Sequence, residues 1–507
     1  MNKKLFVLFF TVVMGVTGYL KFSADDVKAQ ELEKKNKIVI AMKADPKTLD
    51  PQKSIDTMSN KSIALIYDTL VYLDENLNLK PNLAESWERL DECNIIFHLK
   101  KGVKFHNGEE MTADDVKFTL ERAATSPQTL YLFNCISKVT VLDSYTVQVT
   151  TEAPFGALLG NLAAVQSGIV SKKAVLEYGN DYVNHPVGTG QYKLKEWLPG
   201  NKIVFENFDE SYHGAPNFKE LTYLTVPEVS NRMISLETGE VDMAFDIGIM
   251  DKETIENNDR LELIEVESPS LLYLGFDQTN PKYQNKKLRE AIAYAIDNQT
   301  FVDVVFKGSA VAGDSPLPKA SPAYNENVKK YEQNIEKAKK LLNEAGYPNG
   351  LDIELWCMDD GPRVDMCVII QDQLKKIGIN VDIKIFEFSS YVSKTALPNK
   401  ELYFLSWNSS GDGDVALYPL FHSTQHGAPG NRSFYTNPKV DTLLDEARVS
   451  VNENERNSLY KEVQDILQDD LAIYSLAYPK INLAKDKNLK GVIFKKNGDI
   501  DLTQLSF

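Results

Sequence analysis

A strand, a helix and a second strand follow one another between residues 351 and 385, and this order constrains the fold more than any other feature. The apolar run Leu351–Trp356 predicts a buried strand, and a helix is predicted from Arg363 to Ile377, ended by Gly378. Apolar residues then alternate with polar ones from Ile379 to Ile385, as in a half-buried strand. Two strands joined by a helix form a parallel pair with a right-handed crossover, so this part is predicted to be α/β.

The earlier part of the chain predicts a small α+β unit. Ile95, Phe97 and Leu99 alternate with more polar neighbours, which indicates a half-buried strand. Thr112 is a good N-cap for a following helix, because its side chain can accept a hydrogen bond from the first turn. Residues 140–151 alternate again and indicate more strand. Two further helices are predicted in the later half, at 288–296 and 335–345.

The amino terminus predicts export. Lys3 and Lys4 precede an uncharged, largely apolar run from Leu5 to Leu20, shorter than the roughly 20 residues of a membrane-spanning helix. A cleaved signal peptide, residues 1–29, is therefore expected, with the mature chain starting near Gln30. The alternative is an uncleaved anchor. Because no cysteine follows the run, a lipid anchor is not expected.

The length and charge of the chain narrow its class. About 478 residues of the 507 would remain after cleavage, too many for one hydrophobic core, so two or three domains are expected. The formal net charge is −16, and removing residues 1–29, with four lysines and two aspartates, lowers it by two more. Nucleic acid is therefore not expected as a partner, because its phosphates need a basic surface.

Four cysteines leave the question of disulfides open. They are Cys93, Cys135, Cys357 and Cys367. In an oxidising compartment the pairs 93–135 and 357–367 are conceivable, but four cysteines allow three connectivities and the sequence does not choose among them. Buried free thiols are the alternative. None lies in a C-x-x-C arrangement, which argues against a zinc or redox motif.

Five stretches resemble one family in its order. Asn82–Arg122 contains AESW, a strand-turn of the form F-x-L-K-x-G-V-x-F-x-x-G, and T-A-x-D-V. His185–Tyr192 resembles its P-V-G-T-G-P-Y turn, and Leu288–Gly308 its helix R-x-A-x-x-Y-A-I-D. Ala338–Gly350 resembles A-x-x-L-L-x-E-A-G-Y-x-x-G, and Asn437–Asp441 resembles N-P-x-V-D. The chain is thus similar to the extracellular solute-binding proteins of dipeptide, oligopeptide, nickel and glutathione importers.

This resemblance implies a fold and a role. The fold would be the α/β type II periplasmic binding protein fold, two lobes around a cleft, with an additional inserted α+β domain. Lobe I would comprise 30–66, 186–268 and 480–507, the inserted domain 67–185, and lobe II 269–479. Such a protein would be a periplasmic monomer that captures short peptides, di- or tripeptides or glutathione, between its lobes. It would deliver them to the permease of an ABC importer in the inner membrane.

The resemblance also implies binding residues in lobe II. In dipeptide binders an Asp shortly after a Trp holds the ligand amine, and that position falls here on Ser409 or Ser410, after Trp407 and Asn408. Asp412 either replaces this anchor or shapes the loop, and the sequence leaves both readings open. The stretch WNSSGDGDVALYPLF looks more like the glutathione-binding branch, for which the serine hydroxyls with Asp412 would be suitable partners.

Charged partners for the ends of a peptide are expected on both lobes. The Arg that binds the ligand carboxylate in dipeptide binders maps just before Met358 and Asp359. Arg363 lies nearby and could bind a carboxylate with two hydrogen bonds, or could be a solvated residue at the helix start. The ligand-contacting segment of the first lobe matches Asp56 and Thr57, and Asp56 could be the partner of the amine.

Three other functions are alternatives for this sequence. A nickel or metal-chelate site would use His422 and His426, spaced i, i+4, but Gly427 and Pro429 make a helix there doubtful. Haem binding is a second alternative on the same fold. A peptide hydrolase is the third, although G-x-S-x-G, H-E-x-x-H and Walker motifs do not occur in the sequence. The sequence therefore predicts a binding protein, not an enzyme, with no cofactor and no metal site.

Overall fold

The computed structural model describes residues 36–321, 323–408, 412–496 and 498–507. The predicted signal peptide, residues 1–29, lies outside this part of the chain. Within it, no helix is both long and apolar enough to cross a membrane.

Strands and helices succeed one another along most of the chain. The strands are β1 (Lys37–Met42), β2 (Val71–Leu73), β3 (Leu79–Pro81), β4 (Ala84–Arg89), β5 (Asn94–Leu99), β6 (Ile136–Asp143), β7 (Thr146–Thr151), β8 (Tyr192–Leu198), β9 (Lys202–Asn207), β10 (Glu220–Thr225), β11 (Met243–Phe245), β12 (Leu261–Val266), β13 (Ser270–Gly275), β14 (Ala310–Ala312), β15 (Leu351–Met358), β16 (Ile379–Phe386), β17 (Leu402–Asn408), β18 (Ile473–Pro479), β19 (Ile481–Asp486), β20 (Ile493–Phe494) and β21 (Ile500–Asp501). The helices are α1 (Thr57–Ile66), α2 (Ala113–Thr125), α3 (Leu130–Phe133), α4 (Leu158–Asn161), α5 (Lys172–Tyr178), α6 (Val229–Thr238), α7 (Lys252–Glu256), α8 (Pro281–Gln284), α9 (Lys286–Ala295), α10 (Asn298–Thr300), α11 (Ile335–Glu344), α12 (Gly361–Lys375), α13 (Phe388–Thr395), α14 (Gly413–Phe421), α15 (Pro438–Val449) and α16 (Glu453–Asp470).

Lobe I is the body built on a seven-stranded sheet. The strand order is β12-β19-β11-β1-β10-β9-β8, and β1 runs parallel to both β10 and β11. Ile38 and Ile40 of β1 are fully buried and pack in one core with Phe205 and Leu483. Since β19 comes from the end of the chain and β1 from its start, the lobe is discontinuous in sequence.

Lobe II is the body built on a six-stranded sheet. The order is β14-β18-β13-β17-β15-β16, and β15 runs parallel to β16 and β17. The pairing of β15 with β16 runs from Leu351 opposite Ile379 to Met358 opposite Phe386, with α12 between the two strands. This confirms the α/β unit that the sequence predicts for residues 351–385.

The inserted domain is built on a four-stranded antiparallel sheet, in the order β4-β5-β7-β6, and α2 packs on it. The backbone N–H of Thr112 donates to the Asp115 carboxylate at 3.1 Å, which fixes the start of α2. The alternating stretch 140–151 is a hairpin of two strands, because Ser144 and Tyr145 turn the chain between β6 and β7.

Two short crossovers connect the lobes. Residues 267–269 lead from β12 of lobe I to β13 of lobe II, and Lys480 leads back from β18 to β19. The hydroxyl of Ser268, 4% exposed, donates to the carbonyl of Pro479 at 2.5 Å and so ties the crossovers together. The strands of each of these three sheets come from the segments predicted for lobe I, lobe II and the inserted domain. The boundaries of the domains themselves remain a prediction.

Candidate functional site

The carboxyl ends of the parallel strands mark the edge where open α/β sheets bind ligands. In lobe II, β15 ends at Met358 and β17 at Asn408. In lobe I, β1 ends at Met42 and β11 at Phe245. The first crossover leaves lobe I from this same edge, at the end of β12, and enters β13 at Ser270, which pairs with Asn408. Both carboxyl edges therefore lie beside the crossover that joins the lobes, and we expect them to face each other across the cleft between the lobes.

Arg363 lies in the first turn of α12, just beyond the end of β15. Its side chain is 16% exposed, and Nη2 donates to Oγ of Ser406 at 3.0 Å. Its Nε lies 3.7 Å from Oδ2 of Asp360, and the guanidinium carbon lies 5.9 Å from the ring centre of Phe404. A guanidinium has five N–H donors, so this fixed side chain keeps donors for a ligand carboxylate.

Met358 and Asp359 connect the end of β15 to the same helix. Met358 is half-buried, and Asp359 is exposed. The backbone N–H of Asp359 donates to the carbonyl of Phe386 at 2.9 Å, which continues the pairing with β16 beyond the strand. The structure thus brings both predicted residues to the edge that carries Arg363.

Trp407 and Asn408 end β17 at this edge. The Trp407 ring packs against the core of lobe II, and its Nε1 is buried without a hydrogen-bond partner in the described part of the chain. A buried unpaired donor costs about 1–3 kcal/mol, which an acceptor on a ligand would offset only if the side chains that cover Nε1 move aside. Asn408 is exposed. Ser409 and Ser410 lie outside the described residues.

Asp412 holds local structure together. Its side chain caps α14 by accepting from the backbone N–H of Asp414 at 2.7 Å. Its two oxygens also accept from Nη2 of Arg456, at 3.0 and 3.2 Å, and the Arg456 side chain is only 8% exposed. Of the two readings left open by the sequence, the loop-shaping one accounts for these contacts.

Asp56 and Thr57 lie on lobe I at the start of α1. The Asp56 carboxylate accepts from the backbone N–H of Ser59 at 3.0 Å and from its hydroxyl at 2.7 Å, and so caps the helix. Asp56 is half-buried and Thr57 is exposed. Each carboxylate oxygen of Asp56 receives one of these bonds and keeps lone-pair capacity for a ligand ammonium group.

Lys61 is a residue that the sequence did not single out. It lies on α1, one turn after the Asp56 cap, with Nζ 4.2 Å from the ring centre of Phe245, where β11 ends at the cleft edge. Burial lowers the pKa of Lys61, while Asp499 and Asp246 oppose that shift. The chain has 56 Lys and Arg residues, and no motif near Lys61 distinguishes it from the others as a binding residue. Only the fold places its amine at the carboxyl edge of the lobe I sheet.

Histidines and cysteines do not converge on a metal site within the described ranges. No group of three or more His, Cys, Asp or Glu side chains there is arranged to hold a metal ion. His422 follows the end of α14 and bonds Thr424, while His426 bonds the carbonyl of Tyr435 at 3.0 Å.

All four cysteines are free thiols in the structure, so neither conceivable disulfide is formed. The thiols of Cys357 and Cys367 hydrogen-bond to each other, which lowers the pKa of Cys357 and raises that of Cys367. Burial raises the pKa of Cys135 to about 12.

Comparison with known sequences gives a family and curated relatives. The sequence profile of the bacterial extracellular solute-binding proteins, family 5 (middle region), matches residues 78–428. The glutathione-binding protein GsiB of Pectobacterium atrosepticum is 32% identical over 469 residues, which cover 89% of this chain and 90% of GsiB.

Solved structures agree with these sequence matches. The periplasmic binding protein DppA from Helicobacter pylori, in complex with the peptide STSA, has a TM-score of 0.79 at 29% identity, covering 95% of this chain and 99% of DppA. NikZ from Campylobacter jejuni, in complex with Ni(L-His), has a TM-score of 0.80 at 27% identity, covering 93% of this chain and 100% of NikZ. The two-lobed architecture with an inserted domain is thus one already seen with different small ligands.

Proposed function

This chain belongs to the bacterial extracellular solute-binding proteins, family 5, and we propose that it captures a short peptide, with glutathione as the first candidate. The ligand would lie between the facing carboxyl edges of the two lobes. Sequence similarity to glutathione-binding proteins over nine-tenths of both chains supports this choice.

The observation that carries the proposal is a partly buried cation at each edge of the cleft. Arg363 stands on lobe II, held by Ser406, and Lys61 stands on lobe I over Phe245. Glutathione has two carboxylates and one ammonium group, so one cation would bind each carboxylate. An ion removed from water needs such a partner, since leaving it unpaired costs several kcal/mol.

The remaining polar groups fit the rest of a peptide. Asp56 is the proposed partner of the ligand ammonium, because its carboxylate lies at the start of the helix that carries Lys61. The Nε1 of Trp407 would donate to a carbonyl or carboxylate oxygen. Met358, Asp359, Thr57, Asn408, Ser409 and Ser410 are proposed as neighbours of the ligand, and Asp412 as a residue that positions their loop.

The cellular role follows from the family. We propose an exported monomer without its first 29 residues, which delivers its ligand to an ABC permease in the inner membrane and does not turn it over. Intact-mass measurement of the protein from the periplasm should find a chain that starts near Gln30. A full-length chain retained in the membrane fraction would contradict cleavage.

Isothermal titration calorimetry of the purified mature protein tests the ligand. Reduced glutathione should bind with a stoichiometry of one, and chromatography should recover it unchanged. Dipeptides, tripeptides, haem and nickel with histidine serve as competing ligands in the same assay. Binding of nickel-histidine or haem but of no peptide would refute the proposal, and more than one equivalent of product per protein would show an enzyme.

Two variants test the proposed cations. Arg363→Met and Lys61→Met should each weaken glutathione binding about tenfold to hundredfold, since a hydrogen bond to a charged group is worth about 1.5–3 kcal/mol. Lys37→Met is the matched control, because Lys37 lies at the opposite end of β1 and its side chain is 48% exposed. Equal affinities for the three variants would remove both cations from the site.

A further inference from the structure

The inserted domain touches lobe II at a place far in sequence from both crossovers. The backbone N–H of Gly156, in the loop before α4, donates to the carbonyl of Arg448 at 2.8 Å. Arg448 lies in the last turn of α15. The last carbonyls of a helix have no partner within it, so this amide satisfies a group that otherwise needs water.

The contact is close enough to require a glycine. A Cβ atom at Gly156 would overlap the carbonyl oxygen of Ser450 and come within 2.8 Å of Cδ of Arg456. Both of these neighbours belong to lobe II, whereas Gly156 belongs to the inserted domain. The guanidinium of Arg448 adds a contact at 6.0 Å to the ring centre of Phe155.

Acidic residues next to the ligand edge hold the lobe II side of this contact in place. Asp414 binds the Arg448 guanidinium through two hydrogen bonds of 2.9 Å, and its side chain is 7% exposed. Asp412 binds Arg456, which also donates to the carbonyl of Ala447 at 3.2 Å. Asp412 is four residues beyond Asn408, so a residue close in sequence to the predicted ligand residues also positions the contact.

We propose that Phe155 and Gly156 of the inserted domain, with the end of α15, form a clasp that holds the cleft closed. The two crossovers join the lobes covalently in every arrangement. The clasp, in contrast, is a non-covalent contact that exists only in the closed arrangement, in which the inserted domain touches lobe II. It must therefore open for a ligand to enter or leave. Asp412 and Asp414 position the clasp and do not need to touch the ligand.

A single methyl group tests the clasp. Gly156→Ala should weaken binding of reduced glutathione at least tenfold, because the added Cβ meets lobe II only when the cleft closes. Melting of the ligand-free variant should match wild type. Gly160→Ala is the matched control on α4, since its Cβ would lie 3.9 Å from Asp412 Oδ2, an ordinary contact, and its affinity should stay within twofold. Unchanged affinity of Gly156→Ala would overturn the proposal.

A second experiment needs no ligand, so that failure of glutathione to bind would not leave the clasp undecided. X-ray scattering of the ligand-free protein compares wild type with Gly156→Ala and with the control Gly160→Ala. The added Cβ of Gly156→Ala overlaps lobe II only in the closed arrangement, so this variant should have a larger radius of gyration than wild type, whereas Gly160→Ala should match wild type. Equal radii of Gly156→Ala and wild type would mean that no opening clasp exists.

Discussion

Replacing Asp412 by Ala should destabilise the ligand-free protein, since its carboxylate is already in use. The change removes the cap of α14, worth about 1 kcal/mol. It also leaves Arg456, 8% exposed, without its carboxylate, at a cost of about 1.5–3 kcal/mol for a charged hydrogen bond. Because Asp412 itself is 27% exposed, we take the lower part of that range and expect a total of about 3 kcal/mol.

Urea unfolding of the ligand-free variant, followed by tryptophan fluorescence, measures this loss. With a slope of about 2–3 kcal/mol per molar urea, the lobe II transition should move down by about 1 M. Trp356 and Trp407 report on that lobe. The control is Asp372→Ala, which removes a 73% exposed carboxylate from α12 and should shift the midpoint little. An unchanged midpoint together with lost glutathione affinity would mean that the Asp412 carboxylate serves the ligand and does not stabilise lobe II.

Three further perturbations have defined signs. Trp407→Phe should weaken glutathione binding about fivefold, measured by calorimetry. The melting temperature of the ligand-free variant should stay the same or rise, because a buried unpaired N–H is removed. A lower melting temperature with unchanged affinity would contradict this prediction. Burial lowers the pKa of Lys61, and its amine must be protonated to bind a carboxylate. Raising the pH should therefore weaken glutathione binding more in wild type than in Lys61→Met, beyond the loss that both share as the ligand ammonium group gives up its proton; superimposable pH profiles would contradict this. Burial lowers the pKa of His106 from 6.5 to about 4. As the pH falls through this range, His106 takes up a proton in the unfolded chain before it does so in the folded protein. The free energy of unfolding should therefore fall, by about 3 kcal/mol over the whole range. His106→Gln should flatten this part of the stability curve, measured by urea unfolding at several pH values; an equally steep fall in the variant would exclude His106 as its cause.

Local periodicity carried most of the correct fold prediction. The helix predicted at 335–345 is found at Ile335–Glu344, and the one predicted at 288–296 at Lys286–Ala295, because apolar spacing and end residues act within a few residues of sequence. The hairpin at 136–151 was predicted only as strand over 140–151, because its turn residues, Ser144 and Tyr145, are not the Gly or Asn that favour tight hairpins. The local turn signal is Asp143, whose carboxylate accepts from the backbone N–H of Tyr145 at 2.8 Å.

The contacts of the candidate site join residues that are far apart in sequence, so local sequence patterns could not predict them. Asp412 and its partner Arg456 are 44 residues apart, so the sequence could not choose between a loop-shaping and a binding role. Lys61 and Phe245 meet only because β1 and β11 are neighbours in one sheet. Arg363 lies at the start of α12, just after β15, as the sequence predicts, because this strand end and helix start are adjacent in sequence. Its role as a ligand partner remains a prediction.

A crystal structure of the mature protein grown with reduced glutathione would locate the ligand and its partners. We expect one glutathione molecule between the carboxyl edges of the two sheets, with its carboxylates beside Arg363 and Lys61 and an oxygen accepting from Nε1 of Trp407. Glutathione bound outside the cleft, or inside it without contact to either cation, would contradict a ligand held between these two cations.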